Sequence, residues 1–225
     1  MSDIEWCIPP SVLSGLVELP MDSPIAVLLR HSVRDDLPPG IAGYTLPITE
    51  IGIQLAQDLG GLIGARLRLL HTSPLTRCVQ TAEALNFGAG ANLRIVHDRL
   101  LGDPGVFVVD GQRAQPNWDR LGHEGVMQHL VASDEVLPGM AQPGPAARFL
   151  VHHMLSIAGD APGLHLFVTH DSLVTTTVAR LLGQQLGTEA WPWYLEGAFF
   201  WRGQDDLNIK YRDQYLRRNI RYLLN

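Results

Sequence analysis

Five apolar residues in succession, Ile25-Ala26-Val27-Leu28-Leu29, stand between Pro24 and the polar run Arg30-His31-Ser32. So short and continuous a run predicts a strand buried on both faces, as in a parallel sheet. Similar runs predict strands at Leu67–His71, Leu93–Val96 and Leu164–Thr169. Helical patterns fall between them. Thr49 reads as an N-cap with Glu50 in the first turn, opening a helix through about Ile63. Ile51, Leu55, Leu59 and Leu62 share one of its faces, and Gly60-Gly61 and Gly64 end it. Ser73-Pro74 opens a second helix through Leu85, and two more are predicted over Ala146–Ala158 and Ser172–Leu182, the last closed by Gly183. A short helix at Ser11–Leu19 interrupts an irregular lead-in. A turn-rich loop runs from Asp35 to Pro47 around Pro38-Pro39-Gly40.

Residues 98–148 break this rhythm. Glycine and proline are frequent and the apolar runs shorten, which predicts an insertion or lid with short helices only. Gly197–Arg202 and Leu207–Arg212, divided by Gly203-Gln204-Asp205-Asp206, predict a hairpin at the sheet edge, and Gln214 to Leu223 a last helix. Strands alternating with helices predict an α/β, three-layer sandwich: a mostly parallel central sheet flanked by helices, in one domain over residues 1–225.

Composition narrows the partners. The net charge of -6 and the absence of any Lys/Arg run argue against nucleic acid or an anionic membrane. No stretch approaches the roughly 18 apolar residues of a membrane span. Met1 to Pro20 lacks a basic n-region, so it does not read as a signal peptide, and a cytoplasmic residence is expected. Lys210 is the only lysine, leaving arginine to carry the positive charge. Two cysteines, Cys7 and Cys78, are too few for a disulfide framework or a thiolate metal site. His71, His97, His123, His152-His153 and His165 lack ligand spacing and are expected at the surface or in satisfied core positions, so neither metal nor cofactor is expected. The aromatic group Trp191, Trp193, Tyr194, Phe199, Phe200 and Trp201 is expected to pack core and edge strand.

The chemistry concentrates at strand ends. Arg30, His31 and Arg34 follow the first strand, Arg77 follows the second, and His170-Asp171 follow the fourth. In parallel sheets ligands bind beyond the carboxyl ends of strands. Three guanidiniums around two imidazoles repel one another unless an anion joins them, and a phosphoryl group matches arginine in geometry and charge. Neighbouring positive charge keeps an imidazole neutral and so nucleophilic. Asp171 has a second reading, as a cap of the helix that follows. Arg34 has one as the partner of Asp35, Asp36 or a carboxylate elsewhere. No Gly-x-Ser-x-Gly elbow supports a serine hydrolase, and Gly60-Gly61-x-x-Gly64 ends a helix rather than opening one.

The ordered set resembles the histidine phosphatase (phosphoglycerate mutase-like) superfamily. Leu29-Arg30-His31-Ser32-Val33-Arg34 is similar to its Arg-His-Gly signature, and Leu46-Pro47-Ile48-Thr49-Glu50-Ile51-Gly52 to its Leu-Thr-x-x-Gly helix start. Ser73 through Glu83 is similar to its Ser-x-x-x-Arg-x-x-x-Thr-Ala-Glu element, and Val168-Thr169-His170-Asp171 to its second-histidine strand end. The resemblance implies a phosphoglycerate mutase-like fold and a phosphatase hydrolysing a small phosphomonoester without metal. It makes His31 the nucleophile that becomes phosphohistidine, Arg30, Arg77 and His170 phosphate ligands, and Arg34 an additional one. Arg34 and the His170-Asp171 pair follow an acid-phosphatase-like variant, which makes Asp171 the proton donor. Asp103, where another branch keeps a glutamate, is the runner-up. Ser32 stands where the family usually has glycine and joins the substrate-binding set. The alternatives are a mutase-like phosphotransferase and an inactive module that binds a phospho-ligand or a partner protein. A homodimer stays open.

Overall fold

The structure, a computed structural model, describes residues 6–36 and 43–223; the Pro38-Pro39-Gly40 turn lies outside them. Seven strands form one sheet: β1 (Pro24–Arg30), β2 (Leu67–Thr72), β3 (Ile95–His97), β4 (Gly163–Thr169), β5 (Gly197–Arg202), β6 (Asp206–Tyr211) and β7 (Gln214–Asn219). Their order is β3-β2-β4-β1-β5-β6-β7. The first four are parallel, whereas β5, β6 and β7 run antiparallel. The sheet is therefore mostly parallel only in its core, around β2, β4 and β1. The 197–212 hairpin is not at an edge: β5 pairs with β1, and the edges are β3 and β7.

Alternation along β1 divides the interior. Ile25, Val27 and Leu29 pack with α1 (Pro10–Glu18), α2 (Glu50–Ile63) and α3 (Thr76–Ala89) on one side. Ala26 and Leu28 pack with α5 (Pro143–Ala158) and α6 (Asp171–Leu182) on the other. Both faces are covered, which explains the continuous apolar runs. Each fully buried Leu or Ile stabilises the fold by about 1.5–3 kcal/mol.

Four expected elements differ. Gln214 to Leu223 is not a helix: β7 alternates half-buried and exposed positions, follows β6 through a two-residue turn at Arg212-Asp213, and ends in a short 3-10 turn. The left-handed Arg212 (φ +54°) makes that turn. α3 starts at Thr76, leaving Ser73 and Pro74 in the loop before it. Residues 98–148 contain α4 (Gly111–Ala132), which is long but broken at Gly122. In α2, Gly60-Gly61 lie inside the helix, and Gly64 alone caps it. Its buried face is Gly52, Ala56, Leu59, Gly60 and Ile63, while Ile51 and Leu62 are exposed. Small residues win that face because α2 packs backbone to backbone: a Cβ at Gly60 would collide with the Leu85 carbonyl of α3.

Candidate active site

β1 and β4 are hydrogen-bonded neighbours, so their carboxyl ends deliver Arg30-His31 and His170-Asp171 to one place. The His31 amide donates to the Thr169 carbonyl (2.9 Å), and the two imidazoles lie 5.6 Å apart, edge to face. His31 and His170 are buried, as is Arg77.

The hydrogen bonds fix both tautomers. His31 Nδ1 lies 2.8 Å from the Ser32 carbonyl, which only accepts, so Nδ1 holds the proton and Nε2 keeps its lone pair. Burial, then the charges of His170, Arg30 and Arg77, hold His31 well below its ordinary pKa, against a smaller opposing effect of the Ser32 carbonyl. Nε2 is therefore a neutral, unprotonated nitrogen across the physiological range. His170 Nδ1 faces Arg77 Nη2 (3.2 Å), a donor, which leaves the proton on Nε2, 3.1 Å from Ser73 Oγ. Burial, then Arg77, lowers His170 to about 3, although Asp171 pulls the other way.

Three guanidiniums surround this pair. Arg30 donates from Nη1 to the Pro192 carbonyl (2.6 Å), pairs through Nη2 with Asp171 (3.3 Å), and lies 4.1 Å over the Tyr194 ring. Arg77 donates from Nη1 to the Gly43 carbonyl (2.7 Å). Arg34 donates from Nη1 to the Asp35 carbonyl (2.6 Å) and forms no ion pair among the described residues. Its charge lowers both His170 and Arg77. All three keep a buried Nε–H without a partner among the described residues. Buried donors are nearly always satisfied, so three such donors in one cationic cluster leave it the capacity to take an anionic acceptor.

Asp171 lies at the start of α6; His170 is the N-cap residue and makes no side-chain cap bond. Asp171 Oδ1 accepts from the adjacent Ser172 amide (2.8 Å), and the same oxygen lies 3.9 Å from His123 Nε2. Burial raises its carboxyl, but Arg30, His123, the Ser172 amide and His170 together take it below the ordinary carboxylate range. Asp103 is less central. Its carboxylate faces Arg99 (3.8 Å), although its neighbour Gly102 abuts His170, where a Cβ would stand 2.7 Å from Nε2.

Ser32 is a brace rather than a phosphate ligand, because both its donors are used internally. Its amide donates to Thr81 Oγ1 (3.0 Å) and its hydroxyl to the Gly52 carbonyl (2.6 Å). Thr81 in turn donates to the Arg77 carbonyl (2.7 Å), tying the His31 loop to the helix that carries Arg77. Thr49 caps α2 through the Gly52 amide, and a Cβ at Gly52 would collide with the Val33 carbonyl. The Thr-x-x-Gly and Arg-x-x-x-Thr spacings thus hold three elements together behind His31.

Sequence reasoning assigned Tyr194 and Trp191 to packing and His123 to the surface or core. Tyr194 instead lies 5.6 Å from His31 and under Arg30. His123 is exposed, as expected, yet its Nε2 lies 3.9 Å from Asp171 just beyond the α4 break, with its ring 6.2 Å from Trp191. Only the aromatic richness of 191–201 signalled this wall. Among the described residues no group of three or more His, Cys, Asp or Glu side chains is placed to hold a metal, and no helix is long and apolar enough to cross a membrane. Cys78 packs 3.7 Å from His170 Nε2, and burial pushes its thiol up to about 12.

The same architecture occurs in solved structures. A phosphoserine phosphatase mutant from Entamoeba histolytica, in complex with phosphoserine, superposes with a TM-score of 0.57 at 13% identity, over 84% of this chain and 96% of that one. A mycobacterial glucosyl-3-phosphoglycerate phosphatase gives 0.54 at 20% identity, over 84% and 99%. Bacillus stearothermophilus YhfR gives 0.54 at 21%, over 78% and 90%. At these identities the likeness concerns the fold. No curated protein matches the chain in sequence. The family model of the histidine phosphatase superfamily (branch 1) matches residues 27–195. With that match over most of its length, the chain belongs to the histidine phosphatase superfamily.

Proposed function

We propose that the protein is a phosphatase that hydrolyses a small phosphomonoester through a phosphohistidine on His31, working as one histidine-phosphatase-like domain. One observation carries this reading: a neutral histidine with Nε2 unprotonated stands among three arginines whose Nε–H donors have no partner among the described residues. The arginines draw in the phosphate and stabilise the charge on its equatorial oxygens, the task a metal performs elsewhere. His31 Nε2 attacks phosphorus as the ester P–O bond breaks. The leaving oxygen takes a proton from Asp171, which binds one from solvent once the incoming phosphate dianion draws Arg30 away and raises the carboxyl. Water then attacks the phosphohistidine while Asp171 takes back a proton, releasing phosphate and restoring His31.

Turnover of p-nitrophenyl phosphate in EDTA tests the reading. Activity abolished by His31→Ala supports it. Tight phosphate binding without turnover points to a binding module, and transfer from the phosphoenzyme to a second metabolite rather than to water points to a mutase.

A further inference from the structure

Glu196 is a carboxylate only 3% exposed, and the proposed reaction does not use it. Its Oε1 accepts from Ser11 Oγ of α1 (2.5 Å) and Arg212 Nε (3.0 Å). Its Oε2 accepts from Arg212 Nη2 (2.9 Å) and the Trp193 amide (2.8 Å). Arg212, in the β6–β7 turn, donates further to the carbonyls of Trp191 (2.9 Å) and Glu189 (3.3 Å). A bidentate pair between buried Glu196 and half-buried Arg212 thus pins one side of residues 189–196.

The other side of that strap meets the site. The Pro192 carbonyl accepts from Arg30 Nη1, and the Tyr194 ring lies under the Arg30 guanidinium and beside His31. The Leu195 amide donates to the His31 carbonyl (3.3 Å), and the Arg30 amide to the Glu196 carbonyl (2.9 Å). A carbonyl in the plane and a ring under the face set both tilt and rotation of a planar cation. Without them, Asp171 is the remaining holder of the Arg30 head, and the two would close on each other instead of serving phosphate and proton transfer.

We propose that the ion pair of buried Glu196 with half-buried Arg212 is a positioning device that sets the 189–196 strap so that Pro192 and Tyr194 hold Arg30 ready for the phosphoryl group. The proposal rests on the phosphate-site reading above. Arg212→Met and Glu196→Gln are expected to weaken competitive inhibition by inorganic phosphate and lower kcat/KM for p-nitrophenyl phosphate, each by on the order of 10-fold or more. Arg212→Lys, which keeps the charge but not the fork, recovers part of both. In an Arg30→Ala background the Arg212→Met effect disappears, because the two act on one contact. Circular dichroism and Tm identify any variant that fails to fold, and Arg212→Lys then carries the test. A lowered Tm with phosphate inhibition and kcat/KM unchanged makes the pair merely structural and overturns the proposal. So does an undiminished Arg212→Met effect in the Arg30→Ala background. If the wild-type protein neither turns over nor binds phosphate, the functional reading itself has failed.

Discussion

Arg77 Nη2 faces Nδ1 of His170 at 3.2 Å, so a proton added to that nitrogen would sit against a guanidinium that can only donate. Burial and that contact lower His170 to about 3, and burial with the neighbouring charges lowers His31 as well. Unfolded, both histidines take a proton near pH 6.5; folded, they refuse it until far lower. Between those values the unfolded chain binds more protons, so stability falls as pH drops below about 6.5. Asp98 and Asp171, whose folded carboxyls are also lowered, add their loss only below their unfolded value of 3.8. Urea unfolding of the phosphate-free protein is expected to show falling stability from pH 7 to 4, with a shallower slope in His170→Asn. Equal slopes would show that His170 does not titrate as described.

Arg30 is held by a carbonyl, a carboxylate and an aromatic face. Arg30→Lys keeps the charge but loses the planar stack and the fork. Its kcat/KM on p-nitrophenyl phosphate is expected to fall roughly 100-fold or more, close to that of Arg30→Ala. Near wild-type activity in Arg30→Lys would mean that the guanidinium geometry is irrelevant.

The proposed proton donation by Asp171 has a leaving-group signature. Nitrophenolate departs without help, whereas an alkoxide does not. Asp171→Asn is expected to lose less on p-nitrophenyl phosphate, where Asp171 serves only the attack of water, than on alkyl phosphates, where the loss is roughly 10²–10⁴-fold. If Asp103→Asn shows this dependence and Asp171→Asn does not, Asp103 is the donor.

Two glycines of one helix are expected to respond oppositely. Gly52→Ala drives a methyl into the Val33 carbonyl and is expected to cost about 1–3 kcal/mol in chemical denaturation, with reduced activity because the His31 loop moves. Gly61→Ala meets nothing nearer than the Gly88 carbonyl at 3.7 Å. It is expected to be neutral or to stabilise by up to about 1 kcal/mol.

The candidate site was legible wherever its residues sit at the end of a short apolar run. Ile25–Leu29 and Leu164–Thr169 announced themselves as buried strands, and their register as neighbours unites His31 with His170. Arg77 was legible through its spacing to Thr81, which the structure explains as a hydrogen bond within α3. Tyr194 and Pro192 were not legible, because what they offer Arg30 is a ring face and a backbone carbonyl from 162 or more residues away. No side-chain pattern encodes either. The β7 strand was missed because apolar Leu216 and Ile220 fall at helical spacing as well, and the pairing with β6 decides between the two. The α2 face was misread because the close packing of two backbones selects glycine and alanine over the larger apolar residues.

The central claim is that His31 Nε2 carries the phosphoryl group. Rapid quenching of the protein during turnover of a phosphorylated substrate, followed by peptide mapping under alkaline conditions, tests it most directly. One acid-labile, alkali-stable phosphoryl group on the peptide containing His31, absent in His31→Ala, is the predicted result. Turnover that persists in His31→Ala, or a phosphoryl group found on any other residue, would contradict it.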